Sequence, residues 1–206
     1  PEKVLSTSFH LDKSHRANLK QFAMTTGRKT PDDIYNAVII ATYNESRDVL
    51  EPTIQAVMDN EYDLKHLILT IAYEERGGAE VETTAKALQK KYQHHFKNML
   101  IVKHPKDIPH EVPGKGANIT FAGFELQKYI EKQKIDPDDV VVTTLDSDNR
   151  PHKSYFSYLT YEYILHPDPR HAAFQPLTLF LNNIWDVPAP MRVVATGNSF
   201  WNIVNS

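Results

Sequence analysis

The sequence predicts an α/β protein whose β-sheet is doubly wound, mostly parallel and flanked by helices. Two observations support this fold class. Four short runs predict strands at residues 37–43, 67–72, 99–102 and 139–145. The first two are nearly continuous in apolar residues, as expected of strands covered on both faces of a sheet. Between these runs, apolar residues recur at helical spacing. Strands that alternate with helices indicate βαβ units and hence a parallel sheet.

The predicted elements follow one another from a break at Thr30-Pro31. The first strand carries no charged residue, and Leu50, Ile54 and Val57 mark a helix after it. The next two helices are marked by longer apolar stripes: Val81, Ala85, Leu88, Tyr92 and Phe96 after the second strand, and Ile119, Ala122, Leu126 and Ile130 after the third. Beyond the fourth strand we expect a helix over 151–166 and a strand over 172–181.

The composition limits the possible functions. The 206 residues are 41% hydrophobic and 24% charged, which is enough apolar material for a buried core. Because the chain has no cysteine, disulfides, thiolate catalysis and cysteine-ligated metals are excluded. The formal net charge of -3 gives no support for nucleic acid as a partner. No apolar stretch approaches the roughly 18 residues that a membrane span needs.

The charge is distributed unevenly along the chain. Residues 1–31 contain six lysines and arginines but only two acidic residues. We therefore predict a basic leader or linker over 1–33 and a single domain over 34–206. A basic leader is typical of segments attracted to an anionic membrane surface, although a solvated tail has the same composition.

Polar residues follow the first predicted strand, where a parallel sheet binds its ligands. The segment runs Thr42-Tyr43-Asn44-Glu45, and it has neither the glycine pattern of a dinucleotide site nor that of a P-loop. A polar turn at this point can hold a nucleoside. Alternatively, Asn44 or Ser46 caps the following helix.

Two further loops combine charge with glycine. Glu74-Glu75-Arg76-Gly77-Gly78 follows the second strand, and a carboxylate there could accept a hydrogen bond from a base N–H, unless the segment is an ordinary surface turn. Gly114-Lys115-Gly116-Ala117-Asn118 precedes the third helix. A lysine at a helix N-terminus can meet a phosphate, or it can simply be solvated.

The sharpest signal follows the fourth strand, which runs directly into Asp146-Ser147-Asp148. Two carboxylates this close repel each other unless a cation or hydrogen-bond donors compensate. Hard divalent cations such as Mg2+ and Mn2+ prefer oxygen ligands and bridge to phosphate oxygens. The pair therefore predicts a metal site suited to a diphosphate.

In their order along the chain, these four motifs resemble those of family 2 glycosyltransferases with the GT-A fold. Within that family they are most similar to membrane-integrated synthases such as cellulose and hyaluronan synthases. The resemblance covers roughly residues 34–200, and each motif lies at the end of a predicted strand or at the start of a predicted helix.

The resemblance implies a UDP- or GDP-sugar donor, inverting transfer to a saccharide or lipid acceptor, and Mg2+ or Mn2+ as cofactor. Asp148 would ligate the metal, and Asp146 would contact the ribose or the metal. Lys115 would approach the diphosphate, and Asn118 would support its loop. The residues implied to bind the donor are Thr42, Tyr43, Glu45, Glu74, Glu75, Lys115, Asn118 and Asp146.

The general base of this family, an Asp or Glu on a later helix, is not among the motifs. We expect it beyond Ser206, so that residues 34–206 would be incomplete at their C-terminus. We also expect the parent protein to be integrated in or associated with a membrane, with this domain on the cytoplasmic face.

Other classes fit the motifs less well. An Asp-x-Asp-x-Thr phosphatase needs Thr or Val where Arg150 stands, and a nucleotidyltransferase needs a glycine-rich basic loop after the first strand. A non-catalytic fragment that binds a nucleotide sugar or a partner protein remains the alternative.

Overall fold

The computed structural model describes residues 13–24, 27, 29–176, 179, 184–185 and 187–204. They belong to two compact units that divide between Arg170 and His171. The first unit contains the β-sheet and the helices around it. Among its described residues, the second contains one long helix. The predicted domain boundary at residues 33 and 34 stays a prediction.

In the part of the chain that the structure describes, the sheet has four strands, and all of them are parallel. In sequence order they are β1 (Tyr35–Thr42), β2 (Leu67–Glu74), β3 (Asn98–His104) and β4 (Val140–Asp146). Their order across the sheet is β3-β2-β1-β4. The chain is therefore an α/β protein with a parallel sheet, as the sequence predicted.

Helices cover both faces of this sheet. The described helices of the first unit are α1 (Lys13–Met24), α2 (Arg47–Met58), α3 (Ala79–Tyr92), α4 (Lys115–Gln133) and α5 (Tyr155–Leu165). On one face, Val38 and Ile40 of β1 share a core with residues of α2, α3 and α5. On the other face, Ala37 and Ile39 pack with Ala122 and its neighbours on α4. Burial on both faces explains why the β1 segment is apolar throughout.

The apolar positions that the sequence predicted for the buried sides of the helices are buried in the structure, with two differences from the prediction. Phe96 is buried as expected, but α3 already ends at Tyr92. On α4 the inward positions are Asn118, Ala122, Leu126 and Ile130, so Asn118 takes the place that we predicted for Ile119. A polar side chain is thus buried beside the ends of the strands.

Among the described residues, β4 is an edge strand, and only one of its faces is covered. Register with β1 places Val142 beside Ala37 and Asp146 beside Ala41, on the face that α4 covers elsewhere. Val142 nevertheless keeps 52% of its surface exposed, because α4 packs against β1, β2 and β3. Asp146 consequently faces the open side of the sheet, next to the first turn of α4.

The predicted strand over 172–181 is wrong for the part that the structure describes. Residues 172–176 and 179 have no regular structure; the remaining positions lie outside the described residues. Pro176 lacks the N–H that a strand needs for pairing. The second unit instead contains the helix α6 (Ala189–Val204). Among the described residues, no helix is both long and apolar enough to cross a membrane.

Candidate functional site

The candidate site lies at the carboxyl ends of β1, β2 and β4, beside the first turn of α4. Parallel pairing places Thr42 beside Tyr73 and Ala41 beside Asp146, so residues that are distant in sequence meet at one edge of the sheet. In α/β sheets this edge is where ligands bind.

Lys115 and Asp146 form the central contact of the site. Lys115 is the first residue of α4, Asp146 is the last residue of β4, and the lysine Nζ contacts Oδ1 of the carboxylate. Both side chains are about half exposed, at 51% and 52%. The structure thus joins the lysine predicted to meet a diphosphate and one of the carboxylates predicted to meet a metal.

Asn118 fixes the start of α4 against two strands. Its amide nitrogen donates to the carbonyl oxygens of Ala72 at 2.9 Å and Thr42 at 3.3 Å. The residue is only 1% exposed, and its Oδ1 is a buried atom with no hydrogen-bond partner in the described structure. These bonds fix the first turn of α4, and with it the position of Lys115, three residues before Asn118.

Glu45 is held by its own loop. Its Oε2 accepts hydrogen bonds from the Thr42 hydroxyl at 2.6 Å and from the backbone N–H groups of Tyr43 at 2.7 Å and Asn44 at 3.2 Å. Partial burial opposes ionisation of this carboxyl, but the hydrogen bonds outweigh it and lower the pKa of Glu45. Glu45 thereby shapes the turn after β1. Ser46 occupies the N-cap position of α2 without a capping bond from its side chain.

The two adjacent glutamates after β2 have different surroundings. Glu74 is 4% exposed and pairs with the guanidinium of Arg76, which lies 4.9 Å from the centre of the Tyr43 ring. Glu75 points toward β3, where it accepts a hydrogen bond from the Lys106 N–H at 3.1 Å. This bond, together with the nearby ammonium of Lys103, lowers the pKa of Glu75.

Glu74, Arg76 and Tyr43 therefore form one cluster, and Glu75 lies outside it. This geometry separates the two glutamates, which the sequence left equivalent. Arg76 is a member that we did not predict to be a site residue. Its place in the charged loop that directly follows the second strand was the available signal.

Gly77 brings the loop after β2 against the loop after β1. A Cβ at this position would stand 1.9 Å from the carbonyl oxygen of Tyr43, a distance that no side chain can occupy. In the sequence, Gly77 was identified only as part of a charged, glycine-containing loop. In the structure it permits the close approach that places Arg76 over Tyr43.

The Asp146–Asp148 turn is anchored from α2. The Thr53 hydroxyl donates to the Ser147 carbonyl at 2.7 Å, and the Asn149 N–H donates to the Asp146 carbonyl at 3.1 Å. The Asp148 side chain is exposed. The anchored turn leaves both carboxylates exposed to solvent at the carboxyl end of β4.

These carboxylates suit a metal that arrives with a ligand. Among the residues that the structure describes, no group of three or more His, Cys, Asp or Glu side chains is placed to hold a metal by itself. Mg2+ is usually bound through one or two carboxylates, with phosphate oxygens and water completing its coordination. Asp146 and Asp148 fit this mode.

The whole chain was compared with models of protein families and with curated proteins. No family model matches it, and no curated protein matches it in sequence. The chemistry of the site is therefore inferred from its geometry and from the order of its motifs.

Proposed function

We propose that this chain contains the donor-binding part of a GT-A domain in an inverting, metal-dependent glycosyltransferase of family 2. The donor would be a UDP- or GDP-sugar, and the cofactor Mg2+ or Mn2+. The observation that carries the proposal is the contact between Lys115 and Asp146, made where Asn118 ties α4 to β1 and β2. Three of the four predicted motifs meet in this arrangement.

The diphosphate would lie at the N-terminus of α4. Lys115 supplies a positive charge there, and the helix dipole and free N–H groups of the first turn favour an anion. Asp146 and Asp148 would hold the metal, which neutralises charge on the departing diphosphate when it is bound. Lys115 would share in that neutralisation.

The nucleoside would bind beside the Tyr43 cluster. The ring of Tyr43, 40% exposed, and the planar guanidinium of Arg76 offer surfaces on which a base can stack. Glu74 supplies a buried carboxylate that can accept from a base N–H. The bases of both UDP and GDP carry such an N–H, so a UDP-sugar and a GDP-sugar are both candidate donors.

The transfer step would need an acceptor hydroxyl, which a second substrate supplies, and a general base, which we assign to no residue of this chain. The saccharide or lipid acceptor and the membrane association of the parent protein stay predictions.

Calorimetric titration of UDP and GDP, with and without Mn2+, tests the proposal. We expect at least one of the two nucleotides to bind, and to bind more tightly with Mn2+. Absence of metal-dependent binding for both would reject the proposed function. Asp59→Asn is a control that removes a carboxylate away from the candidate site, because Asp59 is exposed at the C-terminal end of α2, whereas the site lies near the N-terminal end of that helix. It should bind nucleotide and Mn2+ as wild type does.

A further inference from the structure

We propose that Lys115 couples the binding of metal and nucleotide by exchanging partners. In the ligand-free protein the Lys115 ammonium pairs with the Asp146 carboxylate. When the nucleotide binds, the ammonium pairs with the diphosphate instead, and the Asp146 carboxylate is then available to the metal. This inference rests on the proposed function. It adds that the metal binds well only together with the diphosphate.

The ion pair between Lys115 and Asp146 is weak enough to break when a ligand competes for it. Each of its side chains is about half exposed, and exposed ion pairs contribute little to stability. A diphosphate, with more negative charge than one carboxylate, competes effectively for the same ammonium. The exchange therefore needs little energy.

The backbone that carries Lys115 does not need to move. Asn118 holds the first turn of α4 through its bonds to Thr42 and Ala72, and the Asn118 N–H bonds to the Gly114 carbonyl at 3.1 Å. Rotation of the lysine side chain alone can move its charge from one partner to the other.

Space for a ligand surrounds the lysine. A Cβ added at Gly114 or at Gly116 would meet no atom within 4 Å. The two glycines thus leave open volume on either side of Lys115, next to the N–H groups that a phosphate would approach. This observation is independent of the ion pair: no described protein atom blocks an anion from approaching the ammonium.

Competition at Asp146 has a thermodynamic consequence. A bound ammonium both occupies the carboxylate and repels a divalent cation, so the metal alone binds weakly. A diphosphate removes that obstacle, and the two ligands strengthen each other's binding by the same factor.

Mn2+ titration followed by electron paramagnetic resonance of the free ion tests this coupling without any activity assay. Without nucleotide, we expect Lys115→Met to bind Mn2+ about twofold to fivefold more tightly than wild type, the size of one exposed ion pair. Lys115→Arg, which keeps the charge, should retain the weak wild-type binding. Lys128→Met is the matched control, since Lys128 lies on the same helix and pairs with Glu125 at 2.6 Å.

Two results would overturn the proposal in distinguishable ways. Equal Mn2+ affinity in wild type and Lys115→Met, with binding lost in Asp146→Asn, would refute the exchange and leave the metal site in place. Mn2+ binding that survives Asp146→Asn, both with and without UDP or GDP, would refute the exchange and remove Asp146 from the proposed metal site as well.

Discussion

The backbone of Gly77 lies directly against the carbonyl of Tyr43, so that a Cβ on residue 77 would stand 1.9 Å from that oxygen. The contact joins the loops that follow β1 and β2. Both loops contribute to the candidate nucleoside site, so Gly77 holds together the two segments of that site.

Gly77→Ala should destabilise the fold and weaken nucleotide binding, because the colliding atoms belong to backbone and cannot turn aside. Overpacking of this kind costs about 1–3 kcal/mol, measurable by urea unfolding. Gly123→Ala is the control, because Gly123 lies within α4 where a Cβ meets nothing within 4 Å. Alanine should stabilise that helical position by about 0.5–1 kcal/mol. Equal stability of the two variants would show that the contact at Gly77 is unimportant.

Asn118→Ala should lower stability by about 1–3 kcal/mol, since it leaves the buried carbonyls of Thr42 and Ala72 without their side-chain donor. It should also reduce nucleotide affinity, because the start of α4 loses its anchor. Urea unfolding and calorimetry measure the two effects. Thr120→Ala removes a hydroxyl that bonds only within α4, to Gly116, and should change stability by less than about 0.5 kcal/mol. Similar effects of the two variants would argue against an anchoring role.

Glu74→Gln should weaken nucleotide binding about tenfold, and Glu75→Gln should leave it unchanged. The reason is that Glu74 is buried in the cluster with Arg76 and Tyr43, whereas Glu75 bonds toward Lys106. The expected factor corresponds to one hydrogen bond to a charged group. Calorimetric titration of both variants measures it. A loss in Glu75→Gln with none in Glu74→Gln would reverse the assignment.

The stabilisation by Glu45 should depend on pH. Hydrogen bonds from Thr42 and Tyr43 outweigh partial burial and lower the pKa of Glu45 in the folded state. Its ionised form therefore stabilises the fold above the unfolded-state pKa of about 4.3, and this contribution is lost as pH falls through the lower folded-state value.

Urea unfolding of wild type and Glu45→Gln at pH 7 and pH 3 should accordingly show a larger stability difference at pH 7. Thr42→Val, which removes one of the hydrogen bonds to Glu45, should reduce the pH dependence. A difference between wild type and Glu45→Gln that grows toward pH 3 would contradict the direction of this pKa shift.

Much of the fold could be predicted because burial on two faces leaves a clear trace in sequence. The segment from Ala37 to Ala41 has no polar residue, and the structure covers it from both sides. The β4 segment looks similar in sequence, yet Val142 and Thr144 are exposed. Whether a strand is covered depends on where α4 packs, and that placement is not encoded within the strand itself.

The site was harder to predict because its key contacts join residues far apart in the chain. Apolar periodicity selected Ile119, whereas Asn118 turns inward to bond to Thr42 and Ala72. Likewise, adjacent glutamates are equivalent in sequence, and only the neighbouring strand distinguishes them. The resemblance implied a diphosphate contact for Lys115 and a ribose or metal contact for Asp146, but it did not predict that the two side chains contact each other.

The most direct test of the proposed metal-dependent nucleotide site is the Mn2+ dependence of UDP and GDP affinity in wild type and in Asp148→Ala, measured by calorimetry. We predict that Mn2+ strengthens binding of at least one nucleotide to wild type and that this gain disappears in Asp148→Ala, while circular dichroism shows an unchanged fold. An equal gain from Mn2+ in both proteins, or none in wild type, would contradict the proposal.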